Sequence, residues 1–248
     1  MERTIAADKD GAAKVDIRRA SERFVTRASW LISYHSFSFA NHYDPDNLRF
    51  GLLVVNNDDT VQPNGGFRSH PHMDMEIVTW VLEGALEHRD STGGAGVIYP
   101  GLAQRMSAGT GIWHSEMNPS SEHPVHFVQM WVIPDTTSVR PGYEQLDIRG
   151  ELKRGQLVPL AGGRGRGAAV SIHQRDALLW VGKLAPGTSV AIPEAPLVHL
   201  YVAKGSAKLE GAGMLATADA ARLCDAGARQ LNASPRDGAE VLIWEMRT

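Results

Sequence analysis

The 248-residue chain predicts an all-β protein built from β-sandwich barrels with few short helices, and three observations carry that prediction. First, 25 glycines and 13 prolines break the chain into short pieces. Second, the pieces between them are runs of Val, Ile, Leu and aromatic residues of strand length: Phe50 to Asn56, Glu76 to Leu82, His126 to Ile133, Leu178 to Leu184 and Val241 to Trp244. Third, helical periodicity is scarce. Short helices are expected only at Ile17 to Phe24 and around Ala216 to Leu223, the latter with Thr217 as its N-cap.

An internal repeat turns one barrel into two. Trp80-Val-Leu-Glu-Gly84-Ala-Leu-Glu resembles Tyr201-Val-Ala-Lys-Gly205-Ser-Ala-Lys, and both read as strand, glycine turn and returning strand. Ala103 to Gly109 resembles Ala221 to Gly227, and each half closes on an apolar strand containing Trp. Matching order and spacing indicate two copies of one fold. The division expected is an N-terminal barrel over residues 1–134, then a linker and C-terminal barrel over residues 135–248. The linker, from Pro134 to about Gly167, ends in Ala-Gly-Gly-Arg-Gly-Arg-Gly. Without a basic face or stacking aromatics around it, that run reads as a loop rather than an RNA-binding segment.

Composition excludes some classes. The hydrophobic fraction is 43%, the charged fraction 21% and the net charge -3, which suit a globular chain and not a general nucleic-acid or membrane-surface binder. No apolar run approaches the roughly 20 residues of a membrane-spanning helix. The first twenty residues lack the apolar core of a secretory leader. Cys224 is the single cysteine, so no internal disulfide forms. These features predict a cytoplasmic protein.

The densest chemistry is His70-Pro71-His72. Residues i and i+2 of a strand share a face, so both imidazoles can grip one ion. About forty residues on, His114 and Glu116 repeat the relation after Gly109-Thr-Gly111, a turn that can aim the strand into a barrel. Two such pairs supply three imidazoles and a carboxylate. That set suits one divalent transition metal, Fe(II) first, with Ni, Cu, Zn and Mn also compatible. Four protein ligands on an octahedral ion leave two positions open. In the second half, the repeat alignment puts Ala191 and Pro193 at the places of His70 and His72, and Asn232 and Ser234 at those of His114 and Glu116. That barrel is expected to hold no metal.

Several motifs around these residues, Gly66-Phe-Arg-Ser-His-Pro-His72 with Glu76, Leu82-Glu-Gly84, Glu87-His-Arg-Asp-Ser91, Gly96-Val-Ile-Tyr-Pro-Gly101 and Ser107 to Glu116, closely resemble the pirin family. The resemblance is densest between Gly65 and Asn118. It implies a bicupin, two cupin barrels packed face to face, with one metal in the first barrel on His70, His72, His114 and Glu116. It also implies quercetin 2,3-dioxygenase chemistry on a small aromatic substrate and O2. Glu116 would act as the base that takes the flavonol 3-hydroxyl proton before the heterocycle opens and carbon monoxide leaves. The rival implication is an iron-binding, redox-responsive regulator acting through a protein partner without turnover. A third reading is a metal-dependent isomerase, since ligands and fold do not fix substrate.

Other candidates are weighed on the same terms. Glu76 could be a fifth ligand or simply a buried polar residue, and is expected first to accept the free N–H of a ligand histidine, which metal-bound histidines usually donate. His88 and Asp90 precede a Ser-Thr-Gly-Gly turn and read as a solvated hairpin end. His123, His126, His173 and His199 read as structural histidines with satisfied ring nitrogens. Met73, Met75, Met106, Phe127, Met130, Trp113 and Trp131 read mainly as barrel core rather than as pocket walls.

Overall fold

A computed structural model of the chain describes residues 14–247. The leaderless reading of the first twenty residues falls mostly on residues 1–13, outside the described residues. In chain order the first half carries β1 (Lys14–Arg18), β2 (Phe24–Arg27), β3 (Leu31–His35), β4 (Leu53–Val61), β5 (Gly66–His72), β6 (Glu76–Glu83), β7 (Leu86–Asp90), β8 (Ala95–Ile98), β9 (Leu102–Ser107), β10 (Ile112–Met117) and β11 (Val125–Val132). After them come β12 (Gly142–Asp147), a single helical turn α1 (Arg149–Leu152) and β13 (Leu157–Gly163). The chain ends with β14 (Val170–Ile172), β15 (Ala177–Leu184), β16 (Ser189–Ala191), β17 (Leu197–Leu209), β18 (Gly213–Ala216), β19 (Ala220–Cys224), β20 (Gln230–Ala233) and β21 (Ala239–Met246).

The repeat is visible in the pairing. One large sheet runs β12-β9-β6-β11-β4-β3-β2 and the other β1-β19-β17-β21-β15-β13-β14. Each is backed by a smaller layer, β5-β10-β7-β8 in the first barrel, and β16, β20 and β18 against the far end of β17 in the second. The aligned glycines behave alike. Gly84 and Gly205 sit at φ 76° and 73°, Gly109 and Gly227 at 47° and 57°, a region where an L side chain is strained. One strand crosses between the barrels: β1 precedes the first barrel yet pairs with β19, while β12, within the segment expected as a linker, pairs with β9 in the first barrel's own sheet.

The two large sheets face each other across a shared core that includes Phe37, Trp80, Met130, Tyr201 and Trp244. Buried polar tips reach across it. Trp80 Nε1 donates to Glu240 at 2.7 Å, and the Tyr201 hydroxyl donates to Asp58. Pairing those tips avoids the cost of burying an unsatisfied donor.

Three local expectations need correction. Ile17 to Phe24 is the end of β1, a 3-10 turn (Ala20–Glu22) and the start of β2, because alternating Val15 and Ile17 find a partner strand in β19. Ala216 to Leu223 is two strands broken at Ala218, which has φ 70°, and the Thr217 hydroxyl donates to the Gly205 carbonyl instead of capping a helix. The run from Phe50 starts as a tight turn at Gly51, so β4 begins at Leu53 and extends to Val61. In addition, Ala161–Gly163 of the Gly/Arg run is strand, paired with β14 throughout and with β15 at Ala161 and Gly162, and only the residues after it form a turn.

Candidate metal centre

Strands β5 and β10 lie antiparallel, with His114 opposite His70 and Ile112 opposite His72. Along β10 the side chains of Ile112, His114 and Glu116 turn inward while Trp113 faces solvent, the period-2 alternation of a half-buried strand. Between His114 and Glu116 the register slips, since Glu116 pairs with Phe67. The extra residue lies on β5, at Arg68 and Ser69, and forms a bulge that re-aims His70. Within it, His70 Nδ1–H donates to the Arg68 carbonyl at 2.7 Å. That bond leaves the Nε2 lone pair free for a cation.

The imidazoles of His70, His72 and His114 converge, with ring centroids 4.4 to 5.0 Å apart. One ligand atom from each lies within 4.8 Å of the others. Glu116 forms a second such group with His114 and His88. The four predicted ligands therefore do not gather into one cluster of that size: His114 is shared, and Glu116 sits on the His88 side. The Glu116 carboxylate is held by Gln129 Nε2, at 3.0 and 2.8 Å to its two oxygens, and by the Thr79 hydroxyl at 3.5 Å. Gln129 is oriented in turn by Trp131 Nε1 at 3.0 Å. Burial pushes the Glu116 carboxyl up to about 7 against the pull of Gln129 and Thr79.

The electrostatics fit a cation. Burial lowers His72 to about 4 and His114 to about 2, with neighbouring imidazoles adding to the effect, so both rings are neutral near pH 7. His72 Nε2, both nitrogens of His114 and His88 Nδ1 are buried without any hydrogen-bond partner. Leaving such atoms unpaired is costly, and a metal ion is the partner that neutral imidazole lone pairs can share.

Two expectations around the ligands change. Glu76 does not support a ligand histidine. Its oxygens bind the Ser107 hydroxyl at 2.7 Å and His173 Nδ1 at 3.0 Å, because β6 pairs with β9 and presents Glu76 toward that side. His88 and Asp90 are not a solvated hairpin end. His88 is fully buried, stacks on Tyr143 at 4.5 Å, bonds Asp90 at 3.1 Å and lies 5.3 Å from the His114 ring. The i, i+2 spacing of His88 and Asp90 was a usable signal, but the covering residue Tyr143 comes from β12, far along the chain. Gln129 carried no sequence signal at all. Among the other histidines, His123 is exposed, while His126 is satisfied by Asp58 at 2.6 Å and His173 by Glu76. His199 is not satisfied: both its ring nitrogens are buried without a partner.

A cavity of about 560 Å3 opens over His70 and His72. Trp30, Leu31, Phe39, Phe67 and Trp131 form apolar walls, and Glu116, Gln129 and Asp59 line it as well. The Trp131 and His72 rings meet edge to face with centroids 4.8 Å apart. Of the suggested apolar set, Trp131 alone lines this cavity. Met106, Phe127 and Met130 are buried core, and Met73 and Trp113 are exposed. No helix among the described residues is long and apolar enough to cross a membrane.

Comparison with known proteins agrees with this geometry over both barrels. The pirin family model matches residues 17–132, and that of the quercetinase C-terminal cupin domain matches residues 160–246. A provisionally named quercetin 2,3-dioxygenase of Mycobacterium tuberculosis H37Rv is 60% identical over 94% of this chain and 96% of its own length. The quercetin 2,3-dioxygenase of Escherichia coli K12 is 38% identical over 93% of this chain and 97% of its own. The crystal structure of the Escherichia coli bacterial pirin YhhW in complex with nickel(II) superposes with a TM-score of 0.84 at 36% identity, covering 95% of this chain and 100% of that one. With relatives matched along nearly its whole length and both cupin barrels in place, the chain belongs to the pirin family of bicupins.

Proposed function

We propose that this chain is a metal-dependent dioxygenase that opens the ring of a quercetin-type flavonol with O2, at a site held by His70, His72, His114 and Glu116. The observation that carries the reading is the set of neutral, unpartnered imidazole nitrogens beside an aromatic-walled cavity. The names of the relatives support the substrate class. Fe(II) is the ion proposed, with Ni, Cu, Zn and Mn chemically compatible, and nickel occupies YhhW. When bound, such an ion lowers the pKa of a coordinating hydroxyl and offers open positions to co-substrate.

The chain's own groups do the rest. Trp131, Phe39 and Phe67 hold a flat aromatic molecule and exclude water from the cavity. Glu116, buried and lining the cavity, is the carboxylate placed to receive the 3-hydroxyl proton. Gln129 donates to both carboxylate oxygens and so fixes Glu116 in position as its charge changes. His88, braced by Asp90, closes the side of His114 away from the cavity. Residence in the cytoplasm, with Cys224 reduced, belongs to the same proposal.

The test is loss of quercetin absorbance under air by protein of measured metal content, compared with His70→Ala. Turnover that tracks metal content and disappears in the variant is expected. A fully Fe(II)-loaded chain that leaves quercetin unchanged sinks the enzymatic reading and favours the regulatory one.

A further inference from the structure

The seam between the barrels holds a second unsatisfied cluster, remote in sequence from the metal ligands. Arg222 on β19 lies opposite His199 on β17, and both face the first barrel. Arg222 stacks its guanidinium over Phe37 at 4.5 Å. Its Nη2 donates to the Ser36 carbonyl at 3.1 Å and to Asn47 Oδ1 at 2.8 Å, both neutral acceptors. Its Nε is buried without a partner, as are both ring nitrogens of His199.

The charges around it do not balance. Three other arginines line the same small cavity, and each has its own acid: Arg18 pairs with Asp16 at 2.9 Å, Arg19 with Asp219 at 2.7 Å and Arg23 with Asp58 at 3.3 Å. Glu22 also lines the cavity, but its carboxylate accepts the Arg19 backbone N–H at 2.7 Å. Among the described residues no carboxylate lies within ion-pair distance of Arg222. Burial lowers Arg222 only to about 10, so it stays charged at neutral pH. A buried cation without a counter-charge in contact is expensive; the Phe37 ring and the two neutral acceptors offset part of that cost, and Asp16 acts on it only from beyond ion-pair distance. His199, held neutral by burial, offers one N–H and no competing charge. The space beside them measures about 30 Å3 and opens toward solvent past Arg18, Arg19 and Glu22. A single small solute of about a water's size fits such a space, whereas a phosphate or a metabolite does not.

We propose that Arg222 and His199 form a buried site for one small monovalent anion of chloride size at the seam between the barrels. The anion accepts from Arg222 Nε–H and from the His199 N–H, and it ties β17 and β19 to the first barrel through the Arg222 contacts to Ser36 and Asn47. The site is independent of the dioxygenase reading.

Thermal unfolding of the intact chain reads it. At fixed pH and ionic strength, stepwise replacement of gluconate by chloride is expected to raise the midpoint by about 2–4 °C and then saturate. Arg222→Met, similar in length but uncharged, is expected to lose the rise. A readout without any variant is a crystal of the native chain soaked in bromide, where an anomalous peak within hydrogen-bond reach of Arg222 Nε and His199 is expected. A midpoint indifferent to chloride, or a seam site that shows water and no anomalous signal in bromide, overturns the proposal.

Discussion

The two barrels share a strand order and differ in what fills them. In the first, the inward side chains of β10 are Ile112, His114 and Glu116, and a cavity lies beside them. In the second, Leu209 stands at the repeat position of His88 and pairs with Leu231, as His88 pairs with Glu116. Leu209 and Leu231 are fully buried in a hydrocarbon cluster with Val202, Leu215 and Ile243. The same fold thus carries an apolar-walled cavity with a few buried polar groups in one copy and a closed apolar core in the other. An interior that keeps such a cavity forgoes the packing that stabilises its twin, at roughly 25 cal/mol for each Å2 of apolar surface not buried.

That contrast can be broken in four ways, starting from the largest effect. His114→Ala removes the residue common to both groups of candidate ligand atoms. Elemental analysis should fall from near one ion per chain to near none, with quercetin turnover at background. Glu116→Gln keeps a ligand oxygen and the shape of the side chain but not the base. Metal content should stay near one while kcat drops by about 10^2–10^4, the usual range for a positioned acid or base. Retained kcat in that variant would remove Glu116 from the chemistry. Leu231→Ala cuts a cavity in the second barrel. Urea unfolding should show a loss of about 2–5 kcal/mol with metal content unchanged, the reverse of the pattern expected for the first barrel.

The smallest effect tests the cost of one buried acid in that cavity. Asp59 lines the cavity, and burial raises its carboxyl to about 7, with the Ser33 hydroxyl pulling it back. Below about pH 4 both folded and unfolded chains keep that proton, and stability is unaffected. As pH rises toward 7 the unfolded chain releases it first, so stability falls, and above 7 the penalty is constant. Metal-free Asp59→Asn should therefore exceed the native chain by about 1–3 kcal/mol at pH 8 and match it near pH 4. Chemical denaturation at the two pH values measures the difference, and equal gains at both would contradict this origin.

Much of the site was legible because strand periodicity is local. His70 with His72, and His114 with Glu116, need only two residues each to declare a shared face. The matched glycines Gly84 and Gly205 were legible for a similar reason, since a turn at positive φ is a demand made by one residue. Errors arose where neighbours come from elsewhere. Aligning Gly109 with Gly227 put Asn232 and Ser234 at the ligand places. In the structure Asn232 is exposed and Leu231 turns inward, because a shift of one residue moves a strand's whole pattern to the other face. Glu76 went to Ser107 and His173, partners supplied by β9 and by the second half of the chain.

The sequence by itself determined the class of fold, the duplication, and the residue types able to bind a metal, because these follow from local spacing and side-chain chemistry. Only the tertiary structure decided that His88 is sealed beneath Tyr143, that Gln129 clasps Glu116, that the second barrel is closed by Leu209 and Leu231, and that Arg222 meets His199 without an acid. Each of those outcomes depends on strands remote in the chain meeting across a sheet or a seam, and burial there sets the charge, the partners and the space that a linear pattern leaves open.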